Sequence, residues 1–519
     1  MRKLAKKTDL KVNYSLAITK NIEITYNYIK NRHSQTEIME RSRIIATIGP
    51  ACDDVETLVE MINAGMDVAR LNYSHGDFAG KAKTIANLRE AEKITNKPLG
   101  LLADLPGPKL RLGRFEGSMK LERGEIVKLI CGIAKGEADK QSIPVEWKGL
   151  SLDLRIGDPI LLADGLICLE VLETENNEFG SITCRVEDGG ILTERKGINV
   201  PRTLVKLPAV GEHDVDCLNH ALEMKVDFVA VSYVRSPNDL DRAKEIIENA
   251  GFHTWLISKI EHPAAVDQLD GIVEASDAVM VARGDLGVEI PFEQVPLVQE
   301  KIINSCLQRG KPVIVATQML ESMVNNPRPT RAEITDVATA IRQHTSAVML
   351  SGETASGDYP VASVQTMAKI ATEVAKSMQE LPQPPALASF TSTRAIAGAA
   401  ASLAKDVDAD AILVATQHGN AARLLAAYRP KTKLFVFSSR ERALRRTTLL
   451  PGTLTIQIEE ENRARSTIQN VISKCLNQGL LSKGMKIVAV SGSPQAITGR
   501  TSTIRLLELG ENGTLRDLI

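Results

Sequence analysis

Short apolar segments alternate with longer amphipathic segments from about Arg43 onward. RIIATIG is an apolar, β-branched run, and the DDVETLVEMINAG that follows it carries apolar residues at helical spacing. MDVARLN and PLGLLADL repeat the apolar run, with a second helical stretch from about Gly80 to Thr95 between them. This alternation is typical of parallel strands joined by helices. The first part of the chain is therefore predicted to form β/α units.

The alternation stops between residues 112 and 207. This part reads as short alternating segments with Gly and Asp turns, among them RFEGSMKLERGEIVKLI, DPILLADGLICLEVLE and GSITCRVEDGG. Apolar and polar residues that alternate with a period of two predict strands buried on one face. We therefore predict a small all-β lid domain at residues 112–207, inserted into the β/α part.

The β/α pattern resumes after the insert. Five further apolar runs are each followed by a helical stretch: KVDFVAVSY, HTWLISKI, SDAVMVA, KPVIVAT and TSAVMLS. Three strands before the insert and five after it give eight β/α units, the number in a (β/α)₈ barrel. The sequence thus predicts an α/β protein whose TIM barrel comprises residues 43–111 and 208–380.

Both ends of the chain are predicted to lie outside the barrel. LPQPPALASF is a proline-containing linker, and the runs beyond it predict an open-sheet α/β domain over residues 381–519. Residues 1–42 begin with a basic stretch but lack the long apolar run of a signal peptide, and we interpret them as an N-terminal arm. No run approaches the roughly 18 apolar residues of a membrane span, so no membrane partner is expected.

Composition excludes further classes of function. The formal net charge is −1 and aromatic residues make up 3% of the chain, so neither a positive field nor a stacking platform favours nucleic acid. The seven cysteines include no Cys-x-x-Cys pair, which indicates neither a zinc site nor a disulfide framework. A reducing compartment, and hence a cytoplasmic location, suits this pattern.

Polar and charged residues follow six of the eight predicted barrel strands. Active sites of such barrels lie at the C-terminal ends of the strands. These residues, in strand order, are Arg70, Asn72 and Ser74; Asp104, Lys109 and Arg111; Lys259 and Glu261; Arg283, Gly284 and Asp285; Thr317 and Gln318; and Ser351 and Glu353. We therefore predict that they converge on one mouth of the barrel.

The chemistry of these groups suits phosphoryl transfer. Glu261 and Asp285 offer hard oxygen ligands for Mg²⁺ or Mn²⁺. Lys259 precedes Glu261 by two positions, so both side chains should point the same way from one strand. A lysine, an arginine and a dication around one point stabilise a migrating phosphoryl group. Gly284 and Asp285 can offer N–H groups to a carboxylate if they open a helix, and Thr317 can hydrogen-bond a reacting carbon acid.

Each residue alone also has an ordinary structural interpretation. Lys-x-Glu is usually a solvated strand face, and Asp285 in GDLG suits a turn or a helix cap. Arg70 suits a surface ion pair, and Thr317 suits a strand end that caps a helix. Only their joint occurrence at consecutive strand ends favours a functional site.

Long segments at these strand ends resemble the pyruvate kinase family. They are RLNYSHG, ADLPGPKLR, SKIEH, MVARGDLGVEIP, ATQMLESMVNNPRPTRAEITDVATAI and AVMLSGETASGDYP. The resemblance runs from about Arg43 to the C-terminus and is strongest across the barrel. It implies a cytoplasmic homotetramer that transfers the phosphoryl group of phosphoenolpyruvate to ADP, giving pyruvate and ATP in the last step of glycolysis.

The resemblance also implies roles for individual residues. Glu261 and Asp285 match the Mg²⁺ ligands, Lys259 matches the lysine that stabilises the phosphoryl group, and Arg70 matches its arginine contact. Thr317, Gly284, Asp285 and Ser351 match the group that binds the substrate, and Thr317 also matches the residue near the proton transfer. Arg111 and Asn72 match the nucleotide contacts. The monovalent-cation site matches Asn72, Ser74, Asp104 and the carbonyl of Leu105.

Two departures from the family pattern carry further predictions. Members that require K⁺ have an acid where this chain has Lys109, whose ammonium can replace the ion; we predict activity without K⁺. The C-terminal effector loop is poor in hydroxyl groups, so a site for a phosphorylated effector is predicted without an identified ligand. Its residues would be Thr416, Gly419, Asn420, Arg500, Thr501 and Ser502.

Two other functions remain as alternatives at this point. One is a metal-dependent barrel aldolase or lyase acting on 2-oxo acids, which would share the carboxylate pair and the anion site. The other is a non-catalytic regulator built on the same scaffold. The first does not explain the inserted lid or the third domain, and the second is disfavoured because Lys259, Glu261, Asp285 and Thr317 are all present.

Overall fold

The computed structural model describes residues 41–163, 165–201, 203, 205–378, 391–459, 464–492, 501–510 and 514–518. The predicted arm at residues 1–42 falls almost wholly outside this set, as does Arg500 of the predicted effector site. No helix among the described residues is long and apolar enough to cross a bilayer.

Eight parallel strands form a closed barrel, as predicted. They are β1 (Arg43–Thr47), β2 (Val68–Asn72), β3 (Gly100–Asp104), β12 (Phe228–Val231), β13 (Trp255–Ile260), β14 (Ala278–Ala282), β15 (Val313–Ala316) and β16 (Ala347–Leu350), numbered in chain order with the intervening strands given below. The first strand pairs with β16 in the register Arg43↔Ala347, which closes the cylinder. β3 pairs directly with β12, so the inserted segment leaves the barrel order unbroken.

Helices surround the barrel and cover its strands. The first, α1 (Val55–Ala64), starts at Asp54, whose carboxylate accepts the N–H of Thr57, and it buries Leu58, Met61 and Ile62 at helical spacing. The others are α2 (Phe78–Thr95), α4 (Glu212–Glu223), α5 (Asp241–Asn249), α6 (Pro263–Asp267), α7 (Leu269–Ala275), α8 (Arg283–Glu289), α9 (Val295–Gln308), α10 (Arg331–Arg342), α11 (Gly352–Ala355) and α12 (Pro360–Ser377), with 3₁₀ turns at Pro237–Leu240, Phe292–Gln294 and Glu321–Val324.

The insert between β3 and β12 is built mainly of strands. These are β4 (Ser118–Leu121), β5 (Ile126–Cys131), β6 (Ile143–Val145), β7 (Pro159–Leu162), β8 (Ile167–Thr174), β9 (Ser181–Asp188), β10 (Gly190–Thr193) and β11 (Ile198–Asn199), with one short helix, α3 (Leu150–Asp153). They form a six-stranded and a two-stranded sheet. The alternating burial of β5 and β8 reproduces the period of two seen in the sequence.

The C-terminal part is an open six-stranded sheet with the order β19-β18-β17-β20-β21-β22. Its strands are β17 (Ala411–Ala415), β18 (Lys433–Ser438), β19 (Thr453–Gln457), β20 (Lys486–Ser491), β21 (Thr503–Leu509) and β22 (Leu515–Asp517), and its helices are α13 (Ser392–Asp406), α14 (Asn420–Ala427), α15 (Glu441–Thr447) and α16 (Ala464–Asn477). The first four strands in chain order are parallel, as expected. The last two are antiparallel, and β22 was not predicted.

One apolar core joins the barrel interior to the C-terminal sheet. Phe228 and Trp255, at the N-terminal ends of their barrel strands, belong to the same buried cluster as Leu425 and Leu444 of the C-terminal helices. The C-terminal part thus covers one end of the barrel. The opposite end, where the strands finish, faces the inserted sheets and holds the candidate site.

Candidate active site

The ammonium of Lys259 is the centre of the charged cluster at the mouth of the barrel. Its Nζ lies 2.8 Å from Glu261 Oε1 and 3.3 Å from Asp104 Oδ1, and it donates to Ser232 Oγ at 2.8 Å. Lys259 and Glu261 face the same way because successive side chains of a strand alternate between its faces. The side chain of Lys259 is only 11% exposed, so its charge acts in a medium that screens it weakly.

Neighbouring charges keep this lysine ionised despite its burial. Burial alone would lower the pKa of Lys259, but the carboxylates of Asp104 and Glu261 outweigh it and raise the pKa above its ordinary value. Burial likewise opposes ionisation of Asp104, yet Lys259 and Arg70 hold its pKa below the usual range. The mouth therefore contains a fixed ammonium and a fixed carboxylate at neutral pH.

Arg70 is held beside Lys259 by the same aspartate. Its Nε donates to Asp104 Oδ2 at 2.7 Å, and its Nη1 donates to Thr47 Oγ1 at 3.0 Å. Asp104 is almost fully buried at the end of β3 and contacts both cations. One carboxylate thus orients two positive groups, a suitable arrangement for holding an anionic phosphoryl group.

Glu261 and Asp285 are connected through a single residue. The backbone N–H of Tyr233 donates to Glu261 Oε2 at 2.7 Å, and the Tyr233 hydroxyl donates to Asp285 Oδ1 at 3.2 Å. Glu261 is fully buried, and this burial raises the pKa of its carboxyl group to about 7. The two predicted metal ligands therefore share one support.

The donor set fits a divalent cation with an incomplete protein shell. Glu261 Oε1 and Asp104 Oδ1 are buried and accept no directed hydrogen bond, although both lie near the Lys259 ammonium. Such oxygens are the hard donors that Mg²⁺ or Mn²⁺ prefers. Within the described part of the chain, no group of three or more His, Cys, Asp and Glu side chains could hold a metal. A dication at Glu261 and Asp285 would therefore take its other ligands from water and substrate.

Gly284 and Thr317 meet at the ends of neighbouring strands. The N–H of Gly284, in the first turn of α8, donates to Thr317 Oγ1 at 2.7 Å. A β-carbon at position 284 would lie 3.4 Å from that hydroxyl, at the close limit of ordinary van der Waals contact. Arg283 donates to the carbonyl of Thr317 at 2.7 Å and to Asp336 at 2.8 Å, which fixes the loop after β15.

The backbone at Thr317 is strained. Thr317 and Gln318 have φ angles of +71° and +53°, and this left-handed region is unfavourable for a β-branched residue. Strain of this kind persists only where surrounding contacts impose it, and it clusters at functional sites. Here the bonds from Gly284 and Arg283 impose it and direct the threonine hydroxyl towards α8.

The residues predicted for a monovalent cation have partners within the chain. Asn72 Oδ1 accepts the N–H of Ser74 at 3.0 Å, and the carbonyl of Leu105 accepts the hydroxyl of Ser232 at 2.8 Å. Lys109 Nζ lies 3.8 Å from Asp285 Oδ1. A lysine ammonium therefore stands beside one of the predicted metal ligands.

Within the described chain, two other predicted contacts, Ser351 and Arg111, have local partners or none. The hydroxyl of Ser351, after β16, is buried and has no hydrogen-bond partner among the described atoms. The backbone N–H of Ser351 donates to Glu353 Oε2 at 2.7 Å. Arg111, where the chain enters the inserted sheets, donates to the carbonyl of Arg195 at 3.2 Å.

The predicted effector residues lie in the C-terminal part. Thr416 follows β17, and its hydroxyl accepts the N–H of Gly419 at 2.8 Å, just before α14 begins at Asn420. Thr501 is buried and donates its N–H to Thr393 Oγ1 at 3.4 Å, while the N–H of Ser502 donates to the carbonyl of Ser491. Arg500 lies outside the described residues.

Sequence reasoning missed Ser232 and Tyr233, which follow the fourth barrel strand. Ser232 connects Lys259 to the carbonyl of Leu105, and Tyr233 connects the two acidic ligands. The signal was present, because KVDFVAVSY ends with two polar residues at a strand terminus.

The inserted sheets contact the barrel next to this cluster. Asn199 of β11 donates to Glu289 Oε1 of α8 at 2.7 Å, and the second oxygen of Glu289 is buried without a described donor. Burial raises the pKa of Glu289 to about 7. This contact joins the insert to the helix that carries Asp285.

Comparisons with known proteins identify relatives of this chain. Residues 39–364 match the family described as "Pyruvate kinase, barrel domain", and residues 394–507 match "Pyruvate kinase, alpha/beta domain". A pyruvate kinase of Geobacillus stearothermophilus is 40% identical over 90% of this chain and 80% of its own length. One from Mycobacterium intracellulare is 40% identical over 91% and 99%. A crystal structure of a pyruvate kinase from Cryptosporidium parvum has a TM-score of 0.82, with 33% identity over 91% of this chain and 97% of that one.

Proposed function

The chain belongs to the pyruvate kinase family, and we propose that the cluster around Lys259 is its phosphoryl-transfer site. The protein is a phosphotransferase that moves the phosphoryl group of phosphoenolpyruvate to ADP and releases pyruvate and ATP. The aldolase or lyase alternative is not favoured, because the family match includes both the barrel and the C-terminal part. A non-catalytic regulator is not favoured either, because every charged group of the cluster is present.

The observation that carries the proposal is the position of the Lys259 ammonium. It lies between Asp104 and Glu261, keeps its charge, and stands beside Arg70 through their common partner Asp104. Two cations fixed before the substrate arrives need no reorganisation when charge moves between oxygen atoms. Lys259 and Arg70 would bind the phosphoryl group and neutralise it while ADP attacks in line.

Other residues would hold the remainder of the substrates. The backbone N–H groups at Gly284 and Asp285, with Thr317 and Ser351, would bind the carboxylate and enol part of phosphoenolpyruvate. Thr317 would stand close to the proton that reaches the methylene carbon of enolpyruvate. Arg111 and Asn72 would contact the nucleotide phosphates. The inserted sheets would close over the mouth and exclude water, which strengthens every electrostatic contact inside.

A dication, Mg²⁺ or Mn²⁺, would be held by Glu261 and Asp285. When bound, it supplies positive charge to the phosphoryl oxygens. The buried Glu261 Oε1, which accepts no directed hydrogen bond, supports this part of the proposal. Tyr233 would keep both carboxylates aimed at the same point.

The proposal includes activity without K⁺. Its support is the ammonium of Lys109, 3.8 Å from Asp285 and therefore next to the substrate pocket. A charge fixed there can do what a bound monovalent cation would do at Asn72, Ser74, Asp104 and Leu105.

Three further elements rest on the family resemblance. They are assembly into a homotetramer, a cytoplasmic location, and a phosphorylated effector that binds near Thr416, Gly419, Asn420, Thr501 and Ser502. Sedimentation analysis of the purified chain tests the first. Dose-dependent activation by sugar phosphates or AMP tests the last.

The decisive experiment replaces Lys259 by alanine. We expect Lys259→Ala to lower ADP-dependent pyruvate formation by about a thousandfold or more, the range seen when a charge-stabilising group is removed. Lys93→Ala removes an exposed lysine of α2 and serves as the matched control. Circular dichroism should be the same for both variants. Near-normal turnover by a folded Lys259→Ala protein would contradict the assigned role.

A further inference from the structure

A second cleft lies at the end of the barrel opposite Lys259, between the barrel and the C-terminal sheet. It has about 280 Å³ of space, part of it open to solvent. Gly310, Lys311 and Ser346 line it from the loops that precede β15 and β16, and Arg423 and Arg429 line it from α14 and the turn that follows. Three residues with cationic side chains therefore line one small space.

Main-chain carbonyl groups are the partners of these three cations. Arg423 Nη1 donates to the carbonyl of Gly310 at 2.9 Å, and Arg429 Nη2 donates to that of His344 at 2.8 Å. Lys311 Nζ donates to the carbonyls of Glu274 and Ser276. A carbonyl oxygen carries only a partial charge, so these bonds satisfy donors without neutralising the side chains.

The cleft contains more positive than negative charge. Among the described residues, none of the three cations forms an ion pair within 4 Å, and none of the residues lining the cleft is acidic. The carboxylates behind the cleft are Asp277, which attracts both Lys311 and Arg423, and Glu274, which attracts Lys311. The Nε of Arg423 is buried and has no described acceptor. Burial, with Arg423 nearby, lowers the pKa of Lys311 to about 8; burial, with Arg43 nearby, lowers that of Arg429 to about 10.

An anion would remove this imbalance. Asp277 and Glu274 offset only part of the positive charge, and partly buried charges that are not fully neutralised destabilise a fold, because the solvation they lose is not replaced. A guanidinium presents several N–H groups in a planar fork that matches the oxygens of phosphate. Ser346 adds a hydroxyl within 3.5 Å of Arg429.

We propose that this cleft binds a phosphate-sized oxyanion, either inorganic phosphate or the phosphoryl group of a small phosphomonoester. Lys311 and Ser346 would contact it from the barrel, and Arg423 and Arg429 would contact it from the C-terminal sheet. The anion would therefore hold the two parts together. This site is distinct from the loop at Thr416, which follows β17 at the opposite end of α14.

Thermal unfolding with inorganic phosphate tests the proposal. Phosphate should raise the Tm of the full-length protein in a saturable way, beyond NaCl at equal ionic strength, because a ligand specific for the folded state stabilises it. Arg423→Gln should weaken this effect by about tenfold, the loss expected when one charge-assisted hydrogen bond is removed. Arg440→Gln removes an exposed arginine of the same domain and should leave the effect unchanged.

The comparison of variants separates this cleft from the active site. Phosphate that binds near Lys259 contributes equally to all these proteins, so only the part lost in Arg423→Gln belongs to the cleft. Glycerol 2-phosphate in place of phosphate shows whether the cleft also accepts a monoester. The proposal is supported if either ligand raises the Tm and Arg423→Gln weakens that rise. Equal responses of the wild type and Arg423→Gln to both ligands would overturn it.

A second variant guards against a loss of folding in Arg423→Gln. Ala427→Glu places a carboxylate beside the cleft, where Ala427 is one of the lining residues. We expect this carboxylate to act as an internal counter-ion, so that phosphate raises the Tm only by the part that binding near Lys259 contributes. An Ala427→Glu protein that still responds like the wild type would also overturn the proposal.

Discussion

The phenol of Tyr233 donates a 3.2 Å hydrogen bond to Asp285 Oδ1. The same residue binds Glu261 through its backbone N–H and has a φ angle of +53°, a conformation that few non-glycine residues adopt. Tyr233 therefore fixes both proposed metal ligands from one point. Groups that hydrogen-bond to metal ligands orient them and tune metal affinity.

Tyr233→Phe removes only the hydroxyl group. We expect Mn²⁺ to bind the protein about five- to tenfold more weakly, because one hydrogen bond of about 1 kcal/mol no longer restrains Asp285. Electron paramagnetic resonance of free Mn²⁺ measures this affinity without any turnover. Tyr359→Phe makes the same chemical change just before α12 and serves as the control. Equal Mn²⁺ affinity of the two variants would show that Tyr233 does not position the ligand.

Glu289 should make the stability of the protein depend on pH. Burial raises the pKa of its carboxyl group from 4.5 to about 7, so the unfolded chain ionises first as the pH rises. The free energy of unfolding should therefore fall between about pH 4.5 and 7, by at most about 3 kcal/mol, and the loss should be constant above pH 7.

Glu289→Gln keeps the acceptor for Asn199 but cannot ionise. We expect it to be more stable than the wild type at pH 8 and equally stable at pH 4.5. Urea unfolding at both pH values provides the measurement. Glu293→Gln, an exposed neighbour of the same type, should show no such difference. A Glu289→Gln protein whose advantage does not grow with pH would disprove this ionisation.

Thr317 should be required for its hydroxyl group rather than its shape. Thr317→Val keeps the branched side chain and removes the atom that accepts the Gly284 N–H. We expect kcat to fall by about a hundredfold or more, the usual contribution of a group that assists proton transfer. Exchange of the pyruvate methyl protons in D₂O, followed by NMR, should slow in parallel. Thr317→Ser should retain both activities; similar losses in Ser and Val variants would indicate a purely steric role.

Lys109 should decide the response to potassium. Wild-type rates in KCl and in tetramethylammonium chloride are expected to be equal. Lys109→Glu should become dependent on K⁺, with a stimulation of about tenfold, which corresponds to about 1.4 kcal/mol of replaced electrostatic stabilisation. Lys109→Arg keeps the charge and should remain insensitive. Strong potassium stimulation of the wild type would contradict the proposal.

The barrel could be predicted because each of its strands is built around a short apolar run. β13 to β16 are buried along their whole length, and such runs between amphipathic helices have few alternatives to a parallel sheet. The charged members of the site were also predictable. Lys259, Glu261 and Asp285 are charged residues directly at or after the ends of apolar strands. Burial of a charge there is costly, so such residues indicate a functional site.

The rest of the site depends on contacts that no local pattern encodes. Tyr233 reaches Asp285 across two strand ends, and Asn199 reaches Glu289 from a different sheet. The positive φ of Thr317 follows from bonds made by Arg283 and Gly284 and not from its own preference. The orientation of β22 likewise depends on its pairing with β21, because a three-residue strand carries almost no pattern.

The pairing of β1 with β16 has a consequence for biosynthesis. The ribosome synthesises β1 long before β16. The edge of β1 that pairs with β16 therefore has no hydrogen-bond partner while more than half of the chain is made. Arg43 lacks a partner for longer still, because its guanidinium donates a hydrogen bond to the carbonyl of Leu450, which is synthesised after β16. The cylinder can thus be sealed only after the chain has been translated beyond Leu350, and nascent chains must be kept from aggregating until then.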